Sequence, residues 1–360
     1  MRLITAIILI FTALRASAQE EVVLTFDSFM QQVKLHHPVS RQAAISMELG
    51  DAYLTKARGS FDPKLSGSAN QKYYNDQQYY SLLNAGLKIP TWYGISFQTG
   101  YDLTTGQYLN AERTLPDEGL WYAGVNLSLG RGLIIDQRRA EYKKAKIYRE
   151  STIQQKSLIL NDLFLQSSIA YWDWFKAYNK MLIYQEAVLN AVVRFEGVKQ
   201  SAILGDKPFM DTLEASIQVQ NRVFNYLQAE LDYRNASSML EIFLWESGYI
   251  PVELDSTTVP SGRNEVTFGN IDPEIALMVD SIRTFHPTLL NTQYKIEQQE
   301  VDLKLSRENL KPTLNFKYNA LMQPLNGGDI ADVYSINNYQ WGADFAIPIF
   351  LRKERGELKI

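Results

Sequence analysis

Apolar and polar residues alternate one by one in two regions of the chain, 64–129 and 314–347. Successive side chains of a β-strand point to opposite faces, so this period of two predicts strands with one apolar face and one small or polar face. The first region holds up to four such segments, which lie near Leu65, Leu83, Ile95 and Trp121. A soluble sandwich shows this pattern, and so does a membrane barrel, whose outer surface is apolar and whose lumen is wet.

A different period fills residues 137–204, about 68 residues that contain no proline and one glycine. Steps of four and three residues from Ile153 to Phe195 meet thirteen positions, and ten of them are apolar or aromatic. A 3.5-residue repeat held over this length predicts a long helix in coiled-coil packing. The sequence LGDKP at 204–208 interrupts the pattern, and residues 209–245 predict a return helix. Its two apolar seams suit a helix with neighbours on both sides.

One unit occurs twice along the chain. A His-Pro pair opens each copy, and the next proline lies 25 positions after Pro38 and after Pro287. In both copies that second proline starts a run of alternating residues. The pattern before it predicts one helix at 26–58, with Pro38 near its start or kinking its first turns, and another helix at 272–310.

We interpret the chain as a tandem repeat of a helix, strands and a long helical hairpin. The first repeat occupies 19–247. A connector rich in Pro, Ser, Thr, Gly and Asn follows at 248–270. The second repeat, 271–360, holds a helix, strands and the start of a long helix. Judged by the first copy, roughly 100 residues of a second hairpin are missing, so we expect this chain to supply only about half of the long helices.

The first 18 residues predict a signal peptide. Arg2 gives a positive start, 3–14 is an apolar run too short to span a bilayer, and 16–18 (Ala-Ser-Ala) fits a cleavage site before Gln19. No other run approaches the roughly 18 apolar residues of a spanning helix. We therefore expect an exported protein without a helical membrane anchor. Export, together with the aromatic pairs in the β region, favours the membrane barrel over the soluble sandwich.

Composition narrows the chemistry. The 360 residues carry a formal net charge of -4 with a pI of about 5.6, so no global basic field points to nucleic acid. The chain has no cysteine, which excludes disulfides, thiol catalysis, cysteine-based zinc sites and a lipidated N-terminal cysteine. We find no pairing of nucleophile and base, no metal cluster and no phosphate loop, so an exported enzyme is disfavoured.

Several motifs together resemble the TolC family of outer-membrane efflux proteins. They are the two His-Pro pairs, the helix-ending FDPKL and LKPTL, the strand-to-helix joins VNLSLGRGLIIDQRRAEYKKA and FAIPIFLRKERGELK, and the turn LGDKPFMDTLEA. Each motif alone is weak, but their order, spacing and duplication cover nearly the whole mature chain.

The resemblance implies an α+β membrane protein with a TolC-like fold, in which transmembrane β-barrel strands join long periplasmic coiled-coil helices that form an α-barrel. It implies a homotrimer in outer-membrane lipid, a periplasmic adaptor (membrane fusion) protein, and an inner-membrane efflux pump or ABC exporter. It implies no cofactor and no catalysis, because the pump supplies the energy. The family uses two strands per repeat, and the four segments of the first region depart from that number.

The implied function is the passive duct of a tripartite efflux or type I secretion system. One alternative is a periplasmic coiled-coil scaffold or adaptor without a pore, and another is a non-functional truncated duct subunit. In the family, hairpin tips gate the tube and contact the adaptor. The resemblance therefore assigns adaptor contact to Leu204, Gly205, Asp206, Asp211 and Leu213. The bland alternative is an ordinary turn whose Asp211 helps to cap the return helix.

Two further groups concern the membrane. Aromatic residues gather at the level of lipid headgroups, which predicts an interface belt. Its members are Trp92, Tyr93, Trp121, Tyr122 and Trp341. Basic residues cluster where a strand becomes the long helix, and they either form a solvated face or contact anionic headgroups. They are Arg138, Arg139, Lys143, Lys144 and Lys146.

Three other motifs receive structural interpretations. His36, His37 and His286 are all the histidines, and they belong to the repeat starts, which favours a structural role over a metal site. The GRG at 130–132 lacks the third glycine of a dinucleotide fingerprint. The aromatic segment 171–178 falls on the helical seams, which favours packing over a stacking platform.

Overall fold

The computed structural model describes residues 22–255, 257–262, 275–323 and 334–359. The predicted signal peptide and part of the connector lie outside these residues. Seven helices are described, and their bounds are α1 Phe26–His36, α2 Pro38–Arg58, α3 Gln137–Ile203, α4 Phe209–Glu241, α5 Ile275–Phe285, α6 Pro287–Asn309 and α7 Arg352–Lys359. Short 3-10 turns occupy Gly59–Phe61 and Ala111–Arg113. Among the described helices, none has a stretch that is both long and apolar enough to cross a membrane.

Ten strands accompany the helices. They are β1 Val22–Leu24, β2 Lys64–Tyr74, β3 Gln77–Pro90, β4 Ile95–Thr105, β5 Leu120–Ser128, β6 Trp245–Glu246, β7 Ile250–Pro251, β8 Thr258–Pro260, β9 Thr313–Met322 and β10 Tyr334–Ala346. The prediction of four segments in the first β region is confirmed. With β9 and β10 this makes six long strands in the part of the chain that the structure describes, and the first repeat has four of them instead of two.

The six long strands form one antiparallel sheet in the order β10-β9-β5-β4-β3-β2. The central pairing joins β5 of the first repeat to β9 of the second, with Val125 opposite Tyr318. Two further backbone hydrogen bonds extend this ladder towards the helices, from the Leu129 amide to the Leu314 carbonyl (2.7 Å) and from the Arg131 amide to the Pro312 carbonyl (2.8 Å). Both repeats therefore contribute to a single sheet.

The chain divides into two compact units, and each draws on both predicted repeats. The first comprises 1–46 and 155–284, and the second comprises 47–154 and 285–360. The repeat boundaries inferred from the sequence stay a prediction, because contacts group the chain differently.

The first unit has an aromatic core where α3 meets α1 and α4. Its fully buried residues include Phe29, Tyr171 and Trp174. The Tyr171 hydroxyl donates to the Leu24 carbonyl (2.9 Å), and the Trp174 indole N–H donates to the Ser237 hydroxyl (3.1 Å). Buried aromatic rings contribute a large apolar area, and the hydrogen bonds of these two polar groups offset the cost of removing them from water. The burial of Tyr171 and Trp174 agrees with the packing interpretation of segment 171–178.

The second unit contains the whole six-stranded sheet and the helices that adjoin it. Here α2 packs on α3, since Gly50 leaves no room for a Cβ atom, which would lie 2.8 Å from the Thr152 hydroxyl. Arg149 and Asp51 pair across the same two helices at 2.5 Å. The α6 helix meets α3 through a small apolar cluster around Ile135 and Val301.

The predicted helix at 26–58 is in fact two helices that break at His37. This residue is extended (φ -67°, ψ 132°) because the following proline disfavours helical geometry in the residue before it. The second repeat breaks in the same way at His286, between α5 and α6. In both breaks the histidine Nδ1 accepts the amide N–H two residues on, from Val39 (3.2 Å) and from Thr288 (3.3 Å). The repeated His-Pro pair thus starts a helix, with the imidazole as the cap and the proline in the first turn.

Titration of His37 should make the first unit sensitive to acid. Burial lowers the pKa of His37, and a hydrogen bond with the Ile242 backbone opposes that shift only in part. A lowered folded pKa gives stability that is present above the unfolded value and is lost as the pH falls below about 6.5. We expect the thermal midpoint, followed by circular dichroism, to fall between pH 7 and pH 5.

The matched variants are His37→Asn and His36→Asn. Asparagine caps a helix without titrating in this range. We therefore expect a smaller fall for His37→Asn, and a wild-type fall for His36→Asn. Equal falls in all three proteins would contradict the role given to His37.

Candidate membrane wall and helix tip

One face of the six-stranded sheet is apolar from edge to edge. The strand registers place the following chiefly apolar side chains on it: Leu65, Ala69, Leu83, Ala85, Leu87, Ile89, Ile95, Phe97, Tyr101, Leu103, Trp121, Ala123, Val125, Leu127, Leu314, Phe316, Tyr318, Ala320, Met322, Tyr339, Trp341, Ala343 and Phe345. Several of the large ones are exposed and others are half-buried; Trp341 is 62% exposed and Phe345 is 66% exposed. Contiguous exposed apolar surface of this kind marks contact with another protein or with lipid.

The opposite face, here called the polar face, carries amides and hydroxyls. Asn319, at the centre of the sheet, accepts a hydrogen bond from Gln98 (2.6 Å) and donates to Gln340 (3.4 Å), although only 2% of it is exposed. Ser128 donates to Asn315 at 3.0 Å nearer the helices. These bonds cross β4, β9 and β10, so they fix strand register as well as satisfying buried polar groups. A wall with one apolar and one polar face is the pattern of a transmembrane barrel.

Tyr122 does not share the face of its neighbour Trp121, which corrects the grouping of the two in one belt. Its ring lies on the polar face over two glycines. A Cβ atom at Gly100 would lie 2.5 Å from the Tyr122 hydroxyl, and one at Gly86 would lie 2.9 Å from it. The glycines leave space for the ring, and the ring covers backbone that they leave bare. Trp121 lies on the apolar face opposite Tyr101, with ring centroids 5.0 Å apart.

The other aromatic residues of the predicted belt occupy different levels of the sheet. Trp92 and Tyr93 lie in the turn after β3, at the end nearest the helices. Trp92 stacks on Phe61 with ring centroids 3.8 Å apart, and Tyr93 is 81% exposed. Trp341 lies within β10 opposite Tyr318. Aromatic side chains thus occur at both ends of the apolar face, and their contact with lipid stays a prediction.

The basic cluster sits where β5 turns into α3. Asp136 caps this helix, accepting a hydrogen bond from the Arg139 amide (2.9 Å), and it pairs with the side chains of Arg138 (3.0 Å) and Arg139 (3.1 Å). Burial alone would raise the pKa of Asp136, but the Arg139 amide and the two guanidinium groups outweigh it and lower the pKa. Arg139 also donates to the carbonyls of the turn before the helix, at Gly132, Leu133 and Ile134.

The lysines of this cluster differ from one another. Lys144 pairs with Asp302 of α6 at 2.8 Å, so its charge is already matched. Lys143 is exposed, and among the described residues it makes no ion pair. Headgroup contact stays a prediction for Arg138, Arg139, Lys143 and Lys144, although Arg138, Arg139 and Lys144 also make ion pairs within the chain.

The turn between α3 and α4 is compact and locally defined. Gly205 has φ +85°, its amide bonds to the Ala202 carbonyl (3.1 Å), and the Asp206 amide bonds to the Ser201 carbonyl (2.9 Å). This is the Schellman arrangement that ends helices at a left-handed glycine. Pro208 occupies the N-cap of α4 without a side-chain bond, and Asp211 lies in the first turn. The capping role suggested for Asp211 is therefore wrong, although its charge still suits a helix N-terminus.

Large apolar side chains surround this turn in the open. Leu204 is 76% exposed, Phe209 is 74% exposed, and Leu213 is also exposed. Ile203 and Met210 extend the same patch, which the sequence interpretation missed. The sequence contained a signal for this patch, namely apolar residues on both sides of the Gly-Asp-Lys-Pro break. A turn that contacts only solvent does not require such residues. We call these five side chains and Asp206 the tip patch.

No protein-family model matches the chain, and no curated protein matches it. Solved structures do. The CmeC outer membrane channel of Campylobacter jejuni is 16% identical with a TM-score of 0.54, over 92% of this chain and 63% of CmeC. The MtrE outer membrane channel of Neisseria gonorrhoeae, in its open state, is 13% identical with a TM-score of 0.58, over 96% of this chain and 70% of MtrE. The outer membrane protein VceC of Vibrio cholerae is 11% identical with a TM-score of 0.57, over 92% and 71%.

The fold is therefore that of outer-membrane channels. Its structural neighbours are TolC-family channels, so the TolC-like α+β fold inferred from the sequence motifs is confirmed. The chain spans less than two thirds of the length of CmeC.

Gly205 in the turn after α3 and Gly197 within α3 together provide a test of the turn geometry. An alanine at Gly205 would be forced into left-handed backbone, which costs roughly 1 kcal/mol. Gly197 lies in the exposed interior of α3 with open space around its Cα, and alanine there should stabilise the helix by about 0.5–1 kcal/mol. We expect amide hydrogen exchange at 195–212, measured by mass spectrometry, to become faster in Gly205→Ala and slower in Gly197→Ala. Slower exchange in both variants would show that the tip does not need the left-handed turn.

Proposed function

We propose that this chain is a subunit of an outer-membrane channel that acts as the passive export duct of a tripartite efflux or type I secretion system. The observation that carries the proposal is the six-stranded sheet with one apolar and one hydrogen-bonded polar face. A soluble sheet would cover its apolar face with a second layer. Within the described residues this face has no such layer, and several of its largest side chains, such as Trp121, Trp341 and Phe345, are exposed.

The long hairpin supports the same proposal. α3 has 67 residues and α4 has 33, and they pair through Lys180 and Asp232 at 2.9 Å and through the rings of Tyr178 and Tyr233. Many apolar side chains of the hairpin are exposed in the single chain, including Leu189, Val193, Phe224 and Leu231. Helices with apolar residues on both sides pack between neighbours. A homotrimer whose helices form a periplasmic tube supplies those neighbours.

The tip patch is the proposed contact with a periplasmic adaptor protein. It combines apolar area with the carboxylate of Asp206, and Asp211 adds a second carboxylate in the first turn of α4, so a partner with apolar and basic groups would fit this end of the hairpin. The adaptor in turn would connect the duct to an inner-membrane efflux pump or ABC exporter, which supplies the energy. This role requires neither a cofactor nor catalysis by the chain.

Fractionation tests the proposal directly. We expect the protein in the outer-membrane fraction, resistant to high salt and alkaline carbonate and released by detergent, because its apolar face contacts lipid. The purified protein should form ion-conducting pores in planar bilayers. Release by salt alone would overturn the proposal in favour of a periplasmic scaffold. Retention in the membrane without conductance would favour a non-functional duct subunit.

The same fractionation distinguishes the lysines at the junction. Headgroup contact predicts that Lys143→Gln with Lys146→Gln weakens retention at mild detergent concentrations, since each basic residue near an anionic surface contributes about 1 kcal/mol. Retention equal to that of the wild type would leave these lysines as a solvated face.

Charge reversal at the tip tests the adaptor contact. We expect Asp206→Lys with Asp211→Lys to reduce crosslinking to the adaptor several-fold, because repulsion replaces attraction at the contact. Asp206→Lys alone separates this effect from any change in the α4 terminus, since it leaves Asp211 in place. The matched control is Asp162→Lys with Glu186→Lys, two exposed acidic residues of α3 away from the tip. Equal crosslinking in all variants would place the contact elsewhere.

A further inference from the structure

The sheet has two free edges. Among the described residues β2 pairs only with β3 and β10 only with β9, so each presents an outer row of backbone groups that no other described strand pairs with. All eleven residues of β2 are exposed, and Ile336–Trp341 and Ala343–Phe345 of β10 are exposed too. Unpaired N–H and C=O groups cost several kcal/mol each in hydrocarbon, so a sheet in a membrane must cover its edges. This inference rests on the proposed membrane location, which requires a partner strand at both edges.

The proposed homotrimer supplies that partner, because each edge strand can meet the opposite edge strand of a neighbouring copy. β2 and β10 stand at opposite ends of one sheet, and five antiparallel steps between them make the two strands antiparallel to each other. β10 of one copy can therefore continue the antiparallel order beside β2 of the next copy. Lys64 on β2 and Asp344 on β10 also have opposite charges, lie on the polar face, and make no ion pair with another described residue.

The register of that pairing can be derived from the strands themselves. Only pairings that keep apolar residues on one face are allowed, and this excludes every shift by an odd number. β2 is regular over 64–72 and β10 is regular over 339–346, with irregularities beyond. Placing Lys64 opposite Ala346 aligns these regular segments fully. It also puts Asp344 opposite Ser66, diagonal to Lys64 on the same face and within reach of its ammonium group.

Strand tilt supports the same register. A row of directly paired residues that starts at Lys64 crosses the sheet through Lys88, Gln98, Gly124 and Asn319 to Gln340. In the proposed pairing Lys64 lies opposite Ala346 of the neighbouring copy, and Ala346 is six positions beyond Gln340. Each set of six strands therefore shifts the register by six residues. With about 3.3 Å per residue and about 4.8 Å per strand, the strands tilt by about 35°. Shifts of four or eight residues give about 25° and about 43° and leave part of the regular segments unpaired.

We propose that, within the proposed homotrimer, β2 of one copy pairs antiparallel with β10 of the next copy with Lys64 opposite Ala346, which gives the barrel 18 strands, six from each copy. A barrel of this size is wide enough for a water-filled lumen. The polar face lines that lumen, and the apolar face meets lipid all the way round. The Lys64–Asp344 pair then recurs at each of the three junctions.

The absence of cysteine from the sequence makes disulfide crosslinking a clean test. Ser68→Cys with Gly342→Cys probes the polar face, and Gly67→Cys with Ala343→Cys probes the apolar face. Gly342 has open space around it, and a Cβ at Gly67 would make only ordinary contact. Directly opposite residues have Cα atoms about 4.5–5.5 Å apart, within the range of a disulfide. Adjacent pairs alternate between the closer and the wider spacing, so one of the two tests uses the favourable site.

The control is Ser68→Cys with Ala346→Cys, which the proposed register separates by about 13 Å. Oxidised outer membranes should give covalent trimers on non-reducing gels for at least one test pair, and single chains for the control and for each cysteine alone. Native mass in detergent, measured separately, reports assembly without reference to register. Trimers that crosslink only through the control pair would overturn the register. Trimers that crosslink through no pair would overturn the edge pairing while leaving the proposed duct intact. A monomer by native mass would overturn the trimeric duct and the inference together.

Discussion

The backbone ladder between β5 and β9 is the constraint on which this architecture depends. It joins the end of the first repeat's strands to the start of the second repeat's strands, with eight paired positions from Trp121–Met322 to Ser128–Asn315. The backbone hydrogen bonds of Leu129 and Arg131 extend this pairing towards the start of α3. Gly130 is needed there, because a Cβ would lie 2.2 Å from the Pro312 carbonyl. Without this ladder the strands would form two separate sheets, each with one more edge to cover.

Charged side chains, as well as backbone hydrogen bonds, stabilise the turn between β5 and α3. Glu308 of α6 is almost fully buried, accepts the Ile134 amide (3.2 Å), and pairs with Lys311 (2.6 Å). Burial alone would raise its pKa, but the Lys311 ammonium and the neighbouring amides outweigh burial and lower the pKa. A carboxylate from the second repeat therefore fixes the turn that starts the long helix of the first. Asp136 acts on the other side of the same turn, through Arg138 and Arg139.

Much of this fold could be predicted from local patterns, and the failures have physical causes. Alternation located all four strands of the first region, and the 3.5-residue repeat located the hairpin, because both periods record which side of an element is apolar. Alternation also contained the information that separates Trp121 from Tyr122, which the grouping by aromatic pairs overlooked. Pairing partners are different, since a period of two gives a face and no neighbour. Nothing local to Lys144 indicates Asp302, 158 positions away. The break at His37 was signalled by Pro38, but its cap depends on an imidazole that could equally have faced solvent.

In the proposed duct, the polar face would be the surface along which exported solutes move. Its side chains are mostly amides and hydroxyls, with four lysines (Lys64, Lys72, Lys88 and Lys317) and two aspartates (Asp102 and Asp344) among the residues that the strand registers place there. A solute that exchanges water for such groups replaces one hydrogen bond by another of similar strength, for a net change of only about 1 kcal/mol each. The uncharged groups of this surface therefore offer a solute many weak binding positions and no strong one. In the proposed duct, friction along these uncharged groups would be low for chemically different cargoes, so the selection of cargo would occur before the solute reaches them.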